Sequence, residues 1–421
     1  MAAVNIENRA QLIYLLTEAA ELEHLVLCSY LFAAFTMKND ASEGISQEQL
    51  QISKRWRSTI HEIALQEMLH LASACNLLTA VGGAPQLRRP NLPTRPKAYP
   101  AAFKLRLVPF GLDALEQFIF LERPESLDPD DEESTGYLKA FPDLQRLGDI
   151  FSSERHYQTL GELYRGIEDG LKYLSQKFGE EGLFVGPDRA QTTSTYFRLA
   201  GLTPVRDLSS ALAAVKVIIE QGEGASIEVE DSHYRKFLKI RNEFSEILAQ
   251  DPQFEPARPV LLNPYSTLPT DVGEASDYSL IDDPLSVDVG NLFDGCYELM
   301  VQMLGRLFVH AEESEAELTD LANTTVRLMV EVIEPLGEML TLLPAGPAHP
   351  GFSAGPSFRL SRGASIPTHK EAAWFVFHER LTELSAYCRF LQSHKSAPSA
   401  LVRVRDSLSK FATLFAVAER L

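Results

Sequence analysis

Two long runs of helical periodicity near the start of the chain most constrain how it can fold. Apolar residues recur three and four positions apart over residues 8–36, and the pattern returns over residues 47–81, where it stops at Gly82-Gly83. This spacing places the apolar side chains on one face of a helix, and glycine is a common residue at a helix end. The two runs therefore predict two long helices that each bury one face.

The rest of the chain is also predominantly helical in its patterning, and convincing strands are scarce. Further helices are predicted over residues 111–122, 154–178, 207–221, 227–249, 291–310, 313–343, 370–393 and 397–420. Proline, aspartate and serine are concentrated in residues 251–290, as is typical of a linker. We therefore predict an all-α protein with a four-helix bundle over residues 1–250, an insertion at about 179–225, a linker over 251–290 and a helical region over 291–421.

Amino-acid composition and charge limit the classes of partner that the protein can bind. The chain has 421 residues, 45% of them hydrophobic, and a formal net charge of −19. Such a balance is that of a globular protein with a large core, and the negative charge should repel nucleic acid and anionic lipid. The N-terminus lacks a basic segment followed by an apolar one, and no uninterrupted apolar run reaches about 18 residues. We therefore expect a cytoplasmic protein that binds neither nucleic acid nor membrane.

Two glutamate and histidine pairs have the same ExxH spacing and lie within apolar helical stripes. Glu67 and His70 belong to the second predicted helix, and Glu230 and His233 to the fourth. Positions i and i+3 share one helix face, so a carboxylate and an imidazole can reach the same ion. A carboxylate in a helix-bundle core must be neutralised, paired or bound to a metal. The spacing alone also arises by chance, and a third pair, Glu21 with His24, has it as well.

The order of acidic residues along the four long helices strengthens the metal hypothesis. The first helix carries one inward glutamate, Glu23, with Tyr30 two turns along the same face, where its hydroxyl could hydrogen-bond a ligand carboxylate. On the third helix Glu162 is the candidate, and periodicity alone leaves Glu168 and Asp169 as alternatives. A lone Glu, ExxH, a lone Glu and ExxH is the ligand order of four-helix bundles that hold two metal ions.

The expected ligand set favours iron. Four carboxylates and two imidazoles are rich in oxygen and poor in nitrogen, which suits two divalent iron ions best and manganese next. Zinc prefers more nitrogen or sulfur, and calcium seldom binds histidine. A ferrous pair can supply electrons to dioxygen, so the pattern predicts two iron ions, dioxygen and a small-molecule substrate.

Several longer motifs carry a resemblance to a known family. They are AAELEHLVLCSYL, IALQEMLHLASACNLLTAVGGAP, RRPNLP, LGELYRGIEDGL, IIEQGEG, EDSHYRKF, AGPSF and AAWFVFHERLTEL. Together they resemble the ferritin-like family typified by the iminophenyl-pyruvate dimer synthase domain of violacein- and rebeccamycin-type biosynthetic enzymes. The resemblance implies a ferritin-like diiron fold, a role in secondary metabolism, and metal ligands at these positions: Glu23, Glu67, His70, Glu162, Glu230 and His233.

Two features separate this chain from the enzymes it resembles. Those enzymes are much longer, and Gln66 occupies a position where relatives often have a second glutamate. We therefore expect a dinuclear non-haem iron oxidoreductase that uses dioxygen on a small, amino-acid-derived metabolite. The assembly that we consider for it is a homo-oligomer. The alternatives are a coupling enzyme that joins imines or enamines without redox chemistry, and an iron-storage or scaffold protein.

Overall fold

The computed structural model describes residues 6–85, 87–95, 103–124, 157, 159–222, 231–267, 277–310, 312–361 and 369–416. Within these ranges the fold is all-α, as the sequence predicts, and the strands are one parallel pair of two residues each, β1 (Pro264–Tyr265) and β2 (Ser279–Leu280). The chain divides into two compact units. The first comprises Met1–Gln86, Pro93–Ser194 and Leu199–Ala257, and the second comprises Leu87–Leu92, Thr195–Arg198 and Arg258–Leu421.

The first unit begins with its two longest helices. Helix α1 (Arg9–Thr36) starts after Asn8, whose side chain accepts a hydrogen bond from the backbone of Gln11. Helix α2 (Gln47–Ala80) starts with a reciprocal capping box between Ser46 and Gln49. These side chains satisfy donors that the first turn of a helix leaves unpaired, which explains why both helices begin where they do.

The remaining elements of the first unit are shorter. They are α3 (Leu112–Leu121), α4 (Leu160–Phe178), the single turn α5 (Glu180–Leu183), α6 (Leu208–Gln221) and α7 (His233–Gln250). Helix α1 packs against α2 and α4, α3 packs against α7, and α6 packs against α4 and α2.

Aromatic side chains join the helices of the bundle. Tyr30 of α1, Phe118 of α3 and Phe237 of α7 form a trio with ring centroids 4.6–5.0 Å apart. Trp56 of α2 lies 5.5 Å from Phe244 of α7. These contacts assemble the bundle from α1, α2, α3 and α7. The third position is thus held by the short helix α3, whereas the sequence predicted the later helix, α4, for it.

Helix α1 lies at the centre of this packing. By length and composition it could cross a membrane, with a mean hydropathy of 1.2, but 83% of its most apolar window is buried. Burial of this extent is expected of a central helix in a packed bundle.

The second unit contains the C-terminal helices. They are α8 (Pro284–Phe308), α9 (Glu315–Leu328), α10 (Glu334–Leu340), α11 (Lys370–Leu391) and α12 (Leu401–Leu414). A five-residue π-helical segment, Met329–Ile333, joins α9 to α10. Helix α8 starts at Pro284 and the unit itself resumes at Arg258, so both begin inside the segment 251–290 that the sequence suggested as a linker.

Candidate metal centre

Five ionisable side chains meet inside the first unit, and we call them the buried cluster. Glu23 projects from the middle of α1, Glu67 and His70 share one face of α2, Glu122 follows the last residue of α3, and His233 is the first residue of α7. Each of the five is at most 1% exposed. Because ionised groups are costly to remove from water, such a cluster needs compensation from within.

Distances within the buried cluster divide it into two halves that share Glu67. One oxygen of Glu67, Oε2, lies 2.9 Å from Nδ1 of His70, and the other, Oε1, lies 2.9 Å from Nδ1 of His233. The outer carboxylates are more distant: Glu23 Oε2 is 3.7 Å from His70 Nδ1, and Glu122 Oε2 is 3.6 Å from His233 Nδ1. The ligand atoms of each half all lie within 4.8 Å of one another, so each half could hold one metal ion.

Several of these atoms are buried without a hydrogen-bond partner in the described part of the chain. They are Oε2 of Glu23, Oε1 of Glu67, Oε2 of Glu122 and Nδ1 of His233. The contact between His233 and Glu67 is informative, since Nδ1 and Oε1 lie 2.9 Å apart but are poorly aligned for a hydrogen bond. Buried polar atoms are nearly always satisfied, and lone pairs directed at one space are what a cation requires. The residues therefore fit a site for one ion in each half, with Glu67 common to both halves.

Two tyrosines fix the outer carboxylates. The hydroxyl of Tyr164, on α4, donates to Oε1 of Glu23, and the hydroxyl of Tyr30 donates to Oε1 of Glu122. In both cases the tyrosine occupies one oxygen, and the second oxygen is the one that faces the histidine. A carboxylate held in this way presents a single oxygen to an ion, in an orientation set by the surrounding protein.

Burial and mutual charge shift the pKa of every member of the buried cluster. Burial raises the pKa of Glu23 to about 7, opposed by His70, and burial also raises the pKa of Glu122. Burial would raise the pKa of Glu67 as well, but the charges of His233 and His70 outweigh it and hold that pKa below its usual range. Burial alone would lower the pKa of both histidines, but the negative charge of Glu67 outweighs it. The resulting pKa is about 10 for His70 and about 9 for His233. Without a cation, protons on the imidazoles thus balance the carboxylates.

The structure brings together most, but not all, of the residues predicted from the sequence. Glu23, Glu67, His70 and His233 lie in the buried cluster, and Glu230 lies outside the described residues. Glu162 is placed elsewhere, in the first turn of α4, where its backbone N–H donates to Thr159. A carboxylate there is favoured by the positive end of the helix dipole, which accounts for an acidic residue at this position.

The alternatives to Glu162 on the same helix are also away from the cluster. Glu168 and Asp169 pair with the partly exposed Lys172, at 2.7 and 3.8 Å. Surface pairs of this kind are ordinary features of a solvated helix face.

The residue that sequence reasoning missed is Glu122. It ends the apolar run FIFLE at the C-terminus of α3 and is 1% exposed. A single acid closing so apolar a run was the available signal. It lacks a histidine partner at helical spacing, so no spacing motif marked it as a ligand.

Comparisons with known proteins give two relatives by sequence. Over 97% of the chain, the sequence is 28% identical to dichlorochromopyrrolate synthase from Lentzea aerocolonigenes, covering 41% of that protein. Over 83% of the chain it is 28% identical to 2-imino-3-(indol-3-yl)propanoate dimerase from Chromobacterium violaceum, covering 34% of that protein. The chain thus spans well under half the length of these two relatives.

A solved structure and a family model also match. The structure of a ferritin-like protein from Caulobacter vibrioides aligns with 85% of this chain and all of its own, at 16% identity and a TM-score of 0.49. The family model described as ferritin-like matches residues 16–242, more than half of the 421 residues. That range includes all five members of the buried cluster. The chain belongs to the ferritin-like family.

Proposed function

We propose that this protein is a dinuclear non-haem iron enzyme that uses dioxygen to oxidise a small, amino-acid-derived metabolite. The observation that carries the proposal is Glu67, whose two oxygens each face a different histidine at 2.9 Å. Glu67 belongs to both groups of possible ligands, so its carboxylate could serve two metal ions at once. Glu23 with His70 would hold one ion, and Glu122 with His233 the other.

The donor set supports iron. Three carboxylates and two imidazoles among the described residues give oxygen-rich coordination, which suits iron and next manganese. No cysteine belongs to either group of three, and the four cysteines of the chain are buried and form no disulfide. Zinc would prefer nitrogen or sulfur ligands, so the donor set disfavours it.

The chemistry that a ferrous pair supplies when bound is transfer of two electrons to dioxygen, one from each ion. In the proposed net reaction the substrate loses two electrons and two protons, and dioxygen becomes hydrogen peroxide. The protein's own residues prepare this chemistry. Glu67 and the tyrosine-bound carboxylates would neutralise the ions, and burial of the five groups keeps bulk water away. A dry site strengthens every electrostatic interaction within it.

The names of two relatives support a proposal for the class of substrate. One of them is named for an imine of indolyl-propanoate and the other for a chromopyrrolate, and both names describe nitrogen-containing metabolites. We propose that the present chain acts on a related amino-acid-derived amine or imine in secondary metabolism.

Metal analysis of matched variants tests the proposal. The wild-type chain, purified without metal and reloaded with ferrous ion under anaerobic conditions, should bind about two irons per chain. Glu122→Gln and Glu67→Gln should lose at least one of them. Glu162→Gln is the matched control, since Glu162 lies in the first turn of α4, and it should keep both. Less than about half an equivalent in the wild type, or equal losses in Glu122→Gln and Glu162→Gln, would contradict the proposed site.

A second candidate function is supported by the name of one relative. That protein is a dimerase of an imine, and it is similar over 83% of this chain. A dimerase forms a bond between two substrate molecules, and if their oxidation level does not change, no dioxygen is consumed. Turnover of an imine under strict anaerobiosis, without loss of rate, would favour this coupling function over the oxidase. Oxygen uptake that matches substrate loss would favour the oxidase.

A further inference from the structure

Each histidine of the buried cluster has a glutamine amide at its outer nitrogen. Oε1 of Gln66 lies 2.9 Å from Nε2 of His233, and Oε1 of Gln221 lies 3.3 Å from Nε2 of His70. Gln66 precedes Glu67 on α2, and Gln221 is the last residue of α6. The two halves of the cluster thus have the same outer partner, supplied by two different helices.

An amide oxygen can only accept a hydrogen bond, and this determines where the imidazole proton must be. Nε2 has to carry the hydrogen in order to donate to the glutamine. A neutral imidazole has one such hydrogen, so Nδ1 is left with its lone pair. In both histidines Nδ1 is the nitrogen that lies 2.9 Å from Glu67.

We infer that Gln66 and Gln221 are positioning residues that set the tautomer of His233 and His70 for metal binding. The inference rests on the metal site of the proposed function. By accepting from Nε2–H, each amide orients its ring and leaves Nδ1 available to an ion. The partner is neutral, so it orients the ring without adding a further negative charge beside three buried carboxylates.

The two contacts are unequal, which makes the inference specific. At 2.9 Å the bond from His233 to Gln66 has ordinary hydrogen-bond length, whereas 3.3 Å from His70 to Gln221 is long. Loss of the Gln66 amide should therefore affect His233 strongly, and loss of the Gln221 amide should have a smaller effect on His70.

Zinc(II) is a suitable diamagnetic probe, because a nitrogen and oxygen site that holds ferrous ion generally binds zinc(II) at least as tightly, whichever metal it uses in function. Metal-free protein with ¹⁵N-labelled histidine is titrated with zinc, affinity is measured against a competing chelator, and long-range ¹H–¹⁵N spectra report the tautomer of each ring. In the wild type, both bound rings should carry the hydrogen on Nε2 and a metal-shifted Nδ1. Gln66→Leu should lower zinc affinity by roughly 10- to 100-fold and alter the signals of one histidine. Gln221→Leu should do the same to the other histidine, with a smaller loss.

A conservative variant and a matched control complete the experiment. Gln66→Met keeps a side chain of nearly the same size without the acceptor, so it should lose affinity as Gln66→Leu does, whereas a role in packing alone predicts that it restores affinity. Gln51→Leu makes the same change at an exposed position of α2 and should match the wild type. Thermal melting verifies that each variant is folded.

The outcomes separate this inference from the function on which it rests. A wild type that binds no zinc would overturn both. A wild type that binds zinc through Nε2, or a folded Gln66→Leu with wild-type affinity and unchanged spectra, would overturn the tautomer assignment and leave the metal site in place.

Discussion

A carboxylate and an imidazole that lie 2.9 Å apart but are poorly aligned for a hydrogen bond, as Glu67 and His233 are, suit a site that also holds a cation. At the scale of single residues, the buried cluster exchanges protons for cations. His70 and His233 have pKa values raised to about 10 and 9, so when no metal is bound both rings carry a second proton, and a positive charge, at neutral pH. A metal ion needs the lone pair that the proton occupies, so the two compete.

Proton release should therefore accompany metal binding at pH 7. Each histidine should lose its extra proton, and Glu23, with a pKa of about 7, should lose the fraction that it holds. Calorimetric titration in buffers of different ionisation enthalpy measures the number released. Affinity should fall as the pH is lowered, because protons then compete more strongly. A binding enthalpy independent of the buffer would contradict this expectation.

Stability of the metal-free protein should depend on pH through the same histidines. Their pKa values are raised above the usual 6.5, so the charged forms stabilise the folded state. This contribution is complete below about pH 6.5 and is lost as the pH rises through 9 to 10. The melting temperature of metal-free protein should therefore decline over that alkaline range, and it should decline less in His70→Gln, which has one such group fewer.

Gly222 gives a prediction about space beside the two rings. A Cβ at this position would lie 3.3 Å from Cε1 of His70 and 3.4 Å from Nδ1 of His233. Gly222→Ala should therefore crowd both histidines and weaken metal binding by about tenfold or more, the effect expected when ligand orientation is disturbed. Gly305→Ala is the control, since its Cβ would meet nothing within 4 Å. Equal metal affinity in the two variants would contradict the prediction.

At the scale of elements, the first and last residues of the long N-terminal helices could be predicted closely. Which helices pack against one another could not be predicted. Periodicity predicted helices over 8–36 and 47–81, and the structure has Arg9–Thr36 and Gln47–Ala80. Apolar spacing and capping residues are local signals, so they locate a helix and its ends.

The third position of the bundle depends on contacts that are distant in the sequence. Helix α3 has 10 residues and α4 has 19, so length and order along the chain favoured α4. Packing of Phe118 against Tyr30 and Phe237 selects α3 instead. The position of Glu122 follows from that packing, which explains why Glu23, Glu67, His70 and His233 could be found from the sequence and Glu122 could not.

The aromatic trio should therefore contribute much of the stability that joins α3 to the bundle. Phe237 is fully buried between Tyr30 and Phe118. Phe237→Ala should lower the free energy of unfolding by about 3–5 kcal/mol, through lost burial and the cavity left behind. Phe375→Ala, at a side chain that is 52% exposed, should change it by less than about 0.5 kcal/mol. Denaturant unfolding measures both, and similar values for the two would contradict this role.

At the scale of the whole molecule, the chain contributes to its two units more than once. Leu87–Leu92 and Thr195–Arg198 belong to the second unit, although residues of the first unit precede and follow them. Both segments are short and lack helical periodicity, so the sequence offered only a single division, near residue 250.

This organisation predicts that the bundle cannot be isolated by truncation after Ala257. Arg89, which is 7% exposed, donates to the hydroxyl of Tyr297 and to the carbonyl of Phe358. A chain ending at Ala257 would lose both acceptors and expose the segment around Arg89. We expect lower solubility and a lower melting temperature than for the full chain. A truncated protein that melts like the full chain would contradict the division into these units.

Burial of all five cluster groups should affect the rate of metal release rather than the affinity for metal. The groups are at most 1% exposed, so we expect an ion to leave only when protein groups around the cluster move. Such openings are intrinsic fluctuations of the fold, with rates that a scavenger in solution does not alter. The rate at which the metal-loaded protein releases its ions should therefore be independent of chelator concentration. The residence time of the metal would then measure how often the bundle opens locally.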